Sequence, residues 1–237
     1  MKSDSCKQNA PGVVRAQLDL PASGPDNVAM TDAVQSIPVV GLVGGVGSGK
    51  SFVAAECQRQ GCAVVDADAI GHAVLQSCGV RADLVAAFGE GIVIDGAIDR
   101  SALGHIVFSS AEALGQLNAI MHPVMGAEMA RQIADYRQAG DVCAIVLDAA
   151  VLFEAGWDRQ CDAVIFVEAP RAQRVARVAG RGWDEAELDR REKAQIALDK
   201  KRALCDHVLV NHASDSRLSK PVKQLLSRII LPGDVMK

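Results

Sequence analysis

Apolar residues recur along the chain in two rhythms. Short unbroken runs of aliphatic and β-branched residues read as strands buried on both faces, and longer stretches with a 3.6-residue period read as helices. Val39, Val40, Leu42 and Val43 make the first run, and after a glycine-rich stretch a helical segment opens at Phe52-Val-Ala-Ala-Glu-Cys. Gly61 closes that helix, and Cys62–Asp66 is the second strand, with Asp66 and Asp68 at its carboxyl end. From Ala69 to Met129 the pattern is mainly helical, broken by Phe88–Arg100, whose glycines mark tight connections. His122 stands before Pro123, a pair that predicts a helix boundary. Val142–Asp148 is an apolar run ending in an acid, as in a central parallel strand; Ala163–Ala169 is the fourth strand and His207–Asn211 the fifth. Strands alternating with helices predict an α/β fold with a doubly wound, parallel, five-stranded sheet.

Met1–Ser36 does not share this pattern. Pro11, Gly12, Pro21, Gly24 and Pro25 punctuate it, no period is sustained, and no apolar region follows Lys2 or Lys7 as a secretory signal would need. A disordered extension is expected over residues 1–36, the alternative being a docking or regulatory arm. The folded domain is expected over 37–232.

The glycine-rich stretch changes the reading from fold to chemistry. Gly44, Gly49, Lys50 and Ser51 fit G-x-x-x-x-G-K-[ST], between a strand and a helix as the motif requires. Glycines let the backbone wrap a polyphosphate with its N–H groups inward, and the helix N-terminus adds partial positive charge. The expected nucleotide ligands are Gly44, Gly45, Val46, Gly47, Ser48, Gly49, Lys50, Ser51 and Phe52. Lys50 reaches the β- and γ-phosphates, and the Ser51 hydroxyl ligates Mg²⁺.

Composition narrows the partners. Aromatics are 3% of the chain and the net charge is −4, which argues against a broad nucleic-acid footprint. No apolar run approaches the roughly 20 residues of a membrane helix. Seven scattered cysteines, none in C-x-x-C, fit a reduced, cytoplasmic protein without a disulfide framework or zinc site. Positive charge concentrates in Arg171–Arg202, where ten basic residues meet six acids. Much of this suits a solvated helix face, but Arg177 and Arg181 lie four apart, on one face of a helix that follows a strand, and such arginines can close over a transferring phosphate.

Taken in order, these stretches resemble the dephospho-coenzyme A kinase family over about Val39 to Leu226. GLVGGVGSGKS resembles the family's G-L-T-G-G-I-G-S-G-K-S, and VVDADAI its V-I-D-A-D-x-I. FGEGIVIDGAIDRSALGHIVF, IMHPVM, VLFE, RVAGR, REKAQ and CDHVLVN follow its later motifs. Val43 and Phe52 replace family threonines, and Ala150 stands where a proline is expected before L-L-F-E. His72 stands where an arginine is often found.

The resemblance implies a P-loop kinase core, a helical substrate-binding insertion at about 69–140 and a helical lid at about 177–200. It implies an ATP-dependent transfer of the γ-phosphate to the ribose 3′-hydroxyl of dephospho-coenzyme A, the last step of coenzyme A synthesis, by a monomer or weak homo-oligomer. Asp68, Lys50 and Arg177 are the implied catalytic residues. Arg181 and Asn211 join the ATP ligands, and Asp68, Arg100, His122 and Glu154 hold the acceptor. Read on residue chemistry alone, Asp68 equally suits the N-cap of the helix over AIGHAVL, and His122 a helix-end residue beside Pro123. Arg100 equally suits a surface ion pair, and Glu154 an acid at a helix start. A different small-molecule kinase, or a nucleotide-dependent switch, remains the alternative class; the switch lacks a guanine-reading N-K-x-D stretch.

Overall fold

The computed structural model describes residues 37–211 and 218–230. The expectations for residues 1–36 lie outside the described residues.

Five parallel strands form the main sheet: β1 (Val39–Gly44), β2 (Ala63–Asp66), and, after a two-stranded hairpin of β3 (Val93–Ile94) and β4 (Ala97–Ile98), β5 (Ile145–Asp148), β6 (Ala163–Glu168) and β7 (His207–Val210). Their order is β2-β5-β1-β6-β7, so β1 is central, with β5 on one side and β6 on the other. The order reverses direction at β1, and in such sheets the crevice beyond the carboxyl ends of the strands is where ligands bind. The parallel sheet follows the expectation, each strand within three residues of its predicted bounds.

Helices α1 (Lys50–Arg59) and α9 (Ser219–Ile230) cover one face of the sheet, where Val40, Leu42, Val53, Val146, Leu209 and Val222 share a core. The other face is covered by α2 (Ala67–Leu75), α3 (Cys78–Phe88), α4 (Arg100–Val107) and α5 (Ala111–Ala139). Their core includes Val43, Val65, Leu84, Met129, Leu147 and Trp157. Alternate residues of β1 and β5 point into the two cores, as the two-residue period of a strand demands. The remaining helices, α6 (Arg171–Ala179), α7 (Glu185–Lys193) and α8 (Leu198–Ala203), follow β6 and lead into β7.

One local expectation fails. Pro123 does not mark a boundary, because α5 runs 29 residues with Pro123 inside it. The proline lacks an N–H for the Ala119 carbonyl one turn back, and the packing of α5 on α2, α3 and α4 outweighs that lost bond. Phe88–Arg100 is more than a set of connections. Asp95 and Gly96, both with positive φ (51° and 77°), turn β3 into β4, the Asp-Gly hairpin chemistry of a tight two-residue turn.

Candidate active site

The end of β1 and the start of α1 are joined by a loop that no other residue types could trace. Gly47 and Gly49 have φ of 74° and 92°. A Cβ on Gly47 would come within 2.8 Å of the Arg174 carbonyl oxygen, and one on Gly49 would run into the side-chain amide of Asn211. Ser48 is buried between them, and its Oγ has no hydrogen-bond partner among the described residues. The first N–H groups of α1, which have no helical carbonyl to meet, therefore open onto the loop. Lys50 lies back over this loop, its Nζ 3.4 Å from the Gly44 carbonyl oxygen. Burial lowers its pKa, opposed first by the nearby Asp148 carboxylate.

Three acids stand at the carboxyl ends of the strands. Asp66 and Asp148 are register partners on β2 and β5. Asp66 is the N-cap of α2, accepting hydrogen bonds from the N–H groups of Asp68 (2.8 Å) and Ala69 (3.0 Å). The capping role weighed for Asp68 therefore belongs to Asp66. Asp68 sits in the first turn of α2, exposed, and lines a cavity of about 570 Å³. Asp148 lines the same cavity, and burial pushes its carboxyl up to about 6 against the opposing pull of Lys50.

The loop from Val46 to Phe52 lines part of the cavity. Phe108, 65% exposed after α4, Asn118 and His122 from α5, and Glu154 also line it. His122 stacks edge-on against Trp157, with ring centres 5.2 Å apart, and burial lowers its pKa while Glu154 opposes that shift. Glu154 Oε1 accepts from the Ile196 N–H (2.9 Å) and pairs with Lys201 Nζ (2.8 Å). Over the mouth stand Arg181, Trp183 and Arg191, with the Arg191 guanidinium 3.9 Å from the centre of the Trp183 ring.

A family model described as dephospho-CoA kinase matches residues 38–216. The chain belongs to the dephospho-CoA kinase family. The dephospho-CoA kinase of Symbiobacterium thermophilum is 41% identical over 189 residues, 78% of each chain. That of Geobacter sulfurreducens is 36% identical over 193 residues, 80% of this chain and 98% of the relative. The crystal structure of TT1252 from Thermus thermophilus superposes with a TM-score of 0.71 at 32% identity, covering 82% of this chain and 98% of that one. The doubly wound parallel sheet, the kinase class and the family resemblance read from the sequence all stand.

Against the site expected of a dephospho-CoA kinase, most residues converge and five, Gly44, Gly45, Arg100, Arg177 and Asn211, do not. Lys50, Ser51, Asp68, His122, Glu154 and Arg181 line one cavity. Arg100 does not. It is the exposed first residue of α4, placed there because Asp99 caps that helix through the Ala102 N–H. Arg177 and Arg181 do not share a helical face, since α6 ends at Ala179 and Arg181 lies in the turn beyond. Arg177 also stays outside the main cavity. It donates to the carbonyl oxygens of Ser48 (2.9 Å) and Gly47 (3.3 Å) and to Asn211 Oδ1 (3.2 Å). Asn211 Nδ2 completes this brace with a 2.8 Å bond to the Ser48 carbonyl oxygen. Arg177 and Asn211 instead flank a smaller cavity, which Arg181 also lines, beside Gly47, Gly49 and Phe52. Two residues were not singled out as site residues by the sequence reading. Asp148 carried a signal, an acid ending a buried strand; Lys201 carried none, one cation among ten in a basic segment.

Proposed function

We propose that the cavity transfers the γ-phosphate of ATP to the ribose 3′-hydroxyl of dephospho-coenzyme A, giving coenzyme A and ADP. One observation carries this reading: Lys50 and Asp68 face a single cavity whose opposite walls are the phosphate-type loop and a protein-lined recess bearing His122 and Glu154. Phosphoryl transfer needs in-line placement and neutralised charge more than covalent help from the protein. The loop N–H groups and Lys50 hold the β- and γ-phosphates, and Arg181 stabilises charge on the equatorial oxygens. Arg177 acts one step back, with Asn211, by fixing the loop carbonyls so that the N–H groups face inward. Asp68 accepts a hydrogen bond from the 3′-hydroxyl, orients it along the line of attack and takes its proton as the bond to phosphorus forms. Glu154 and His122 hold the acceptor from the far wall.

The residues also suit Mg²⁺. Among the described residues no group of three or more His, Cys, Asp or Glu forms a closed metal cage. Ser51 and Asp148, a hydroxyl and a carboxylate lining one cavity, are the sparse hard-oxygen set that Mg²⁺ uses together with nucleotide phosphates. They would hold the ion, with Asp66 as the register partner of Asp148 beside them. When bound, Mg²⁺ supplies charge neutralisation at the β- and γ-oxygens. The free cysteines among the described residues suit a reducing cytoplasm.

The test is ADP formation by the full chain with Mg·ATP, with and without dephospho-coenzyme A. ADP and coenzyme A rising together supports the reading; ADP formed equally without acceptor, or only with another alcohol, overturns it.

A further inference from the structure

Lys201 is fully buried, and a lysine without solvent must have its charge and donors met by the protein. Three oxygens meet them. Its Nζ lies 2.6 Å from the carbonyl oxygen of Ala150, 2.8 Å from Gln195 Oε1 and 2.8 Å from Glu154 Oε1. Each belongs to a different part of the site. Ala150 follows β5 two residues after Asp148, Gln195 lies in the basic segment that carries Arg181 and Arg191, and Glu154 faces the acceptor recess. Glu154 Oε1 is consumed by this pairing and by the Ile196 N–H. Its Oε2 is buried, lacks a hydrogen-bond partner among the described residues, and belongs to a side chain lining the cavity.

A carboxylate with one oxygen doubly engaged and the other buried without a donor is a group held in one orientation for something else. The Lys201 ammonium, bonded to Oε1, fixes the rotation of the carboxylate. Of the charged groups around Glu154, His122 faces it from α5, while Arg181 and Arg191 line the same cavity from the lid. None is hydrogen-bonded to its carboxylate among the described residues; Lys201 is its one cationic partner there.

We propose that Lys201 is a positioning residue for the acceptor: it clamps Glu154 so that Oε2 accepts a hydrogen bond from the phosphoryl acceptor, and through Gln195 it ties that orientation to the lid. Lys201 touches neither substrate. The inference rests on the reading of the cavity as a dephospho-coenzyme A site.

Lys201→Met in the full chain keeps the length of the side chain and removes the charge. With wild-type turnover on dephospho-coenzyme A established first, the expected result is a rise in acceptor KM of about tenfold or more, the scale of one hydrogen bond to a charged group. The Kd for a non-hydrolysable ATP analogue, measured by titration calorimetry, stays within about twofold. Equal losses in acceptor and nucleotide binding would mean a merely structural lysine and overturn the proposal. A buried glutamate left without its cation is itself destabilising, so Lys201→Met alone is open to misfolding. The double variant Glu154→Gln/Lys201→Met removes that hazard, with Glu154→Gln as its reference. If Lys201 acts through Glu154, the double variant has the acceptor KM of Glu154→Gln alone. A further tenfold loss in the double variant overturns the proposal, whereas a wild-type chain that ignores dephospho-coenzyme A overturns the site reading instead.

Discussion

Asp66 and Asp148 are directly opposed on neighbouring parallel strands, yet only one of them is spent on structure. Asp66 caps α2 with one carboxylate oxygen, whereas Asp148 is half-buried beside Lys50 with a carboxyl pushed up to about 6. Burial costs the ionised form of Asp148 more than the lysine returns. The folded state therefore holds the Asp148 proton more tightly than the unfolded chain, whose aspartates titrate near 3.9. The penalty appears as pH rises between those two values and is complete at neutral pH. Asp148→Asn is expected to raise nucleotide-free stability at pH 7.5, on the order of 1–2 kcal/mol, with no gain at pH 3.5. Urea unfolding at the two pH values measures it. Turnover should fall by orders of magnitude in the same variant, since the carboxylate that would meet Mg²⁺ is gone; unchanged turnover would remove Asp148 from the site.

Because the cap of α2 is Asp66, Asp68 can be tested without a structural confound. Asp68→Asn is expected to leave the melting temperature within a degree or two and the affinity for ATP unchanged. Turnover should drop roughly 10²–10⁴-fold, the range for a positioned acid or base. Asp66→Asn should do less to either, since asparagine caps about as well as aspartate. A reversal of the two, measured by steady-state kinetics and thermal melts side by side, would exchange their roles.

The two arginines once paired by sequence spacing should separate in their effects. Arg177→Ala frees the carbonyls of Gly47 and Ser48 and unpairs Asn211, so nucleotide Kd should rise about tenfold or more, with some loss of stability. Arg181→Ala, at the cavity mouth, should lower kcat by about 10²-fold or more with little change in nucleotide Kd. Arg190→Ala, exposed and paired only with Glu187 one turn away among the described residues, is the control and should change neither. Equal kinetics for Arg181→Ala and Arg190→Ala would reduce the basic segment to diffuse charge.

Gly49→Ala is the sharpest test of the loop. The substitution forces a side chain into a left-handed backbone and against the Asn211 amide. Nucleotide binding should be lost and stability should fall by more than the roughly 1 kcal/mol of left-handed strain alone, because the Asn211–Ser48 bond breaks too. Gly91→Ala, where a Cβ meets nothing within 4 Å, should bind ATP normally. Calorimetric titration of both variants with ATP decides it.

How far the sequence carried depended on whether a feature was local. The central strands β1, β5 and β6 were legible because both of their faces are buried, so each reads as an apolar run whatever it pairs with; the edge strand β7 kept its apolar residues although Val208 and Val210 are exposed. The loop was legible because glycine freedom, a lysine and a hydroxyl are needed at fixed spacing. Pro123 misled because the local cost of a proline is small beside the packing of a 29-residue helix. Arg177 and Arg181 misled because four residues make a face only while the helix lasts, and α6 stops between them. Lys201 was invisible. Nothing in Leu198–Ala203 distinguishes it from exposed Lys200 or Arg202; what sets it apart is the carbonyl of Ala150, 51 residues earlier. Asp148 was seen as the end of a strand but not as a group beside Lys50, a proximity that exists only after β1 and β5 pair.

The brace on the phosphate loop has a consequence for how the protein is made. The loop closes by Ser51, but the amide that holds the Ser48 carbonyl comes 163 residues later, on Asn211, just past the last strand of the sheet. β1 itself waits too, since its neighbours β5 and β6 begin at Ile145 and Ala163. A growing chain thus carries its nucleotide motif for most of synthesis as bare sequence, without partners to shape it. Competence to grip a phosphate arrives late and all at once, when the end of the domain returns to lock its beginning.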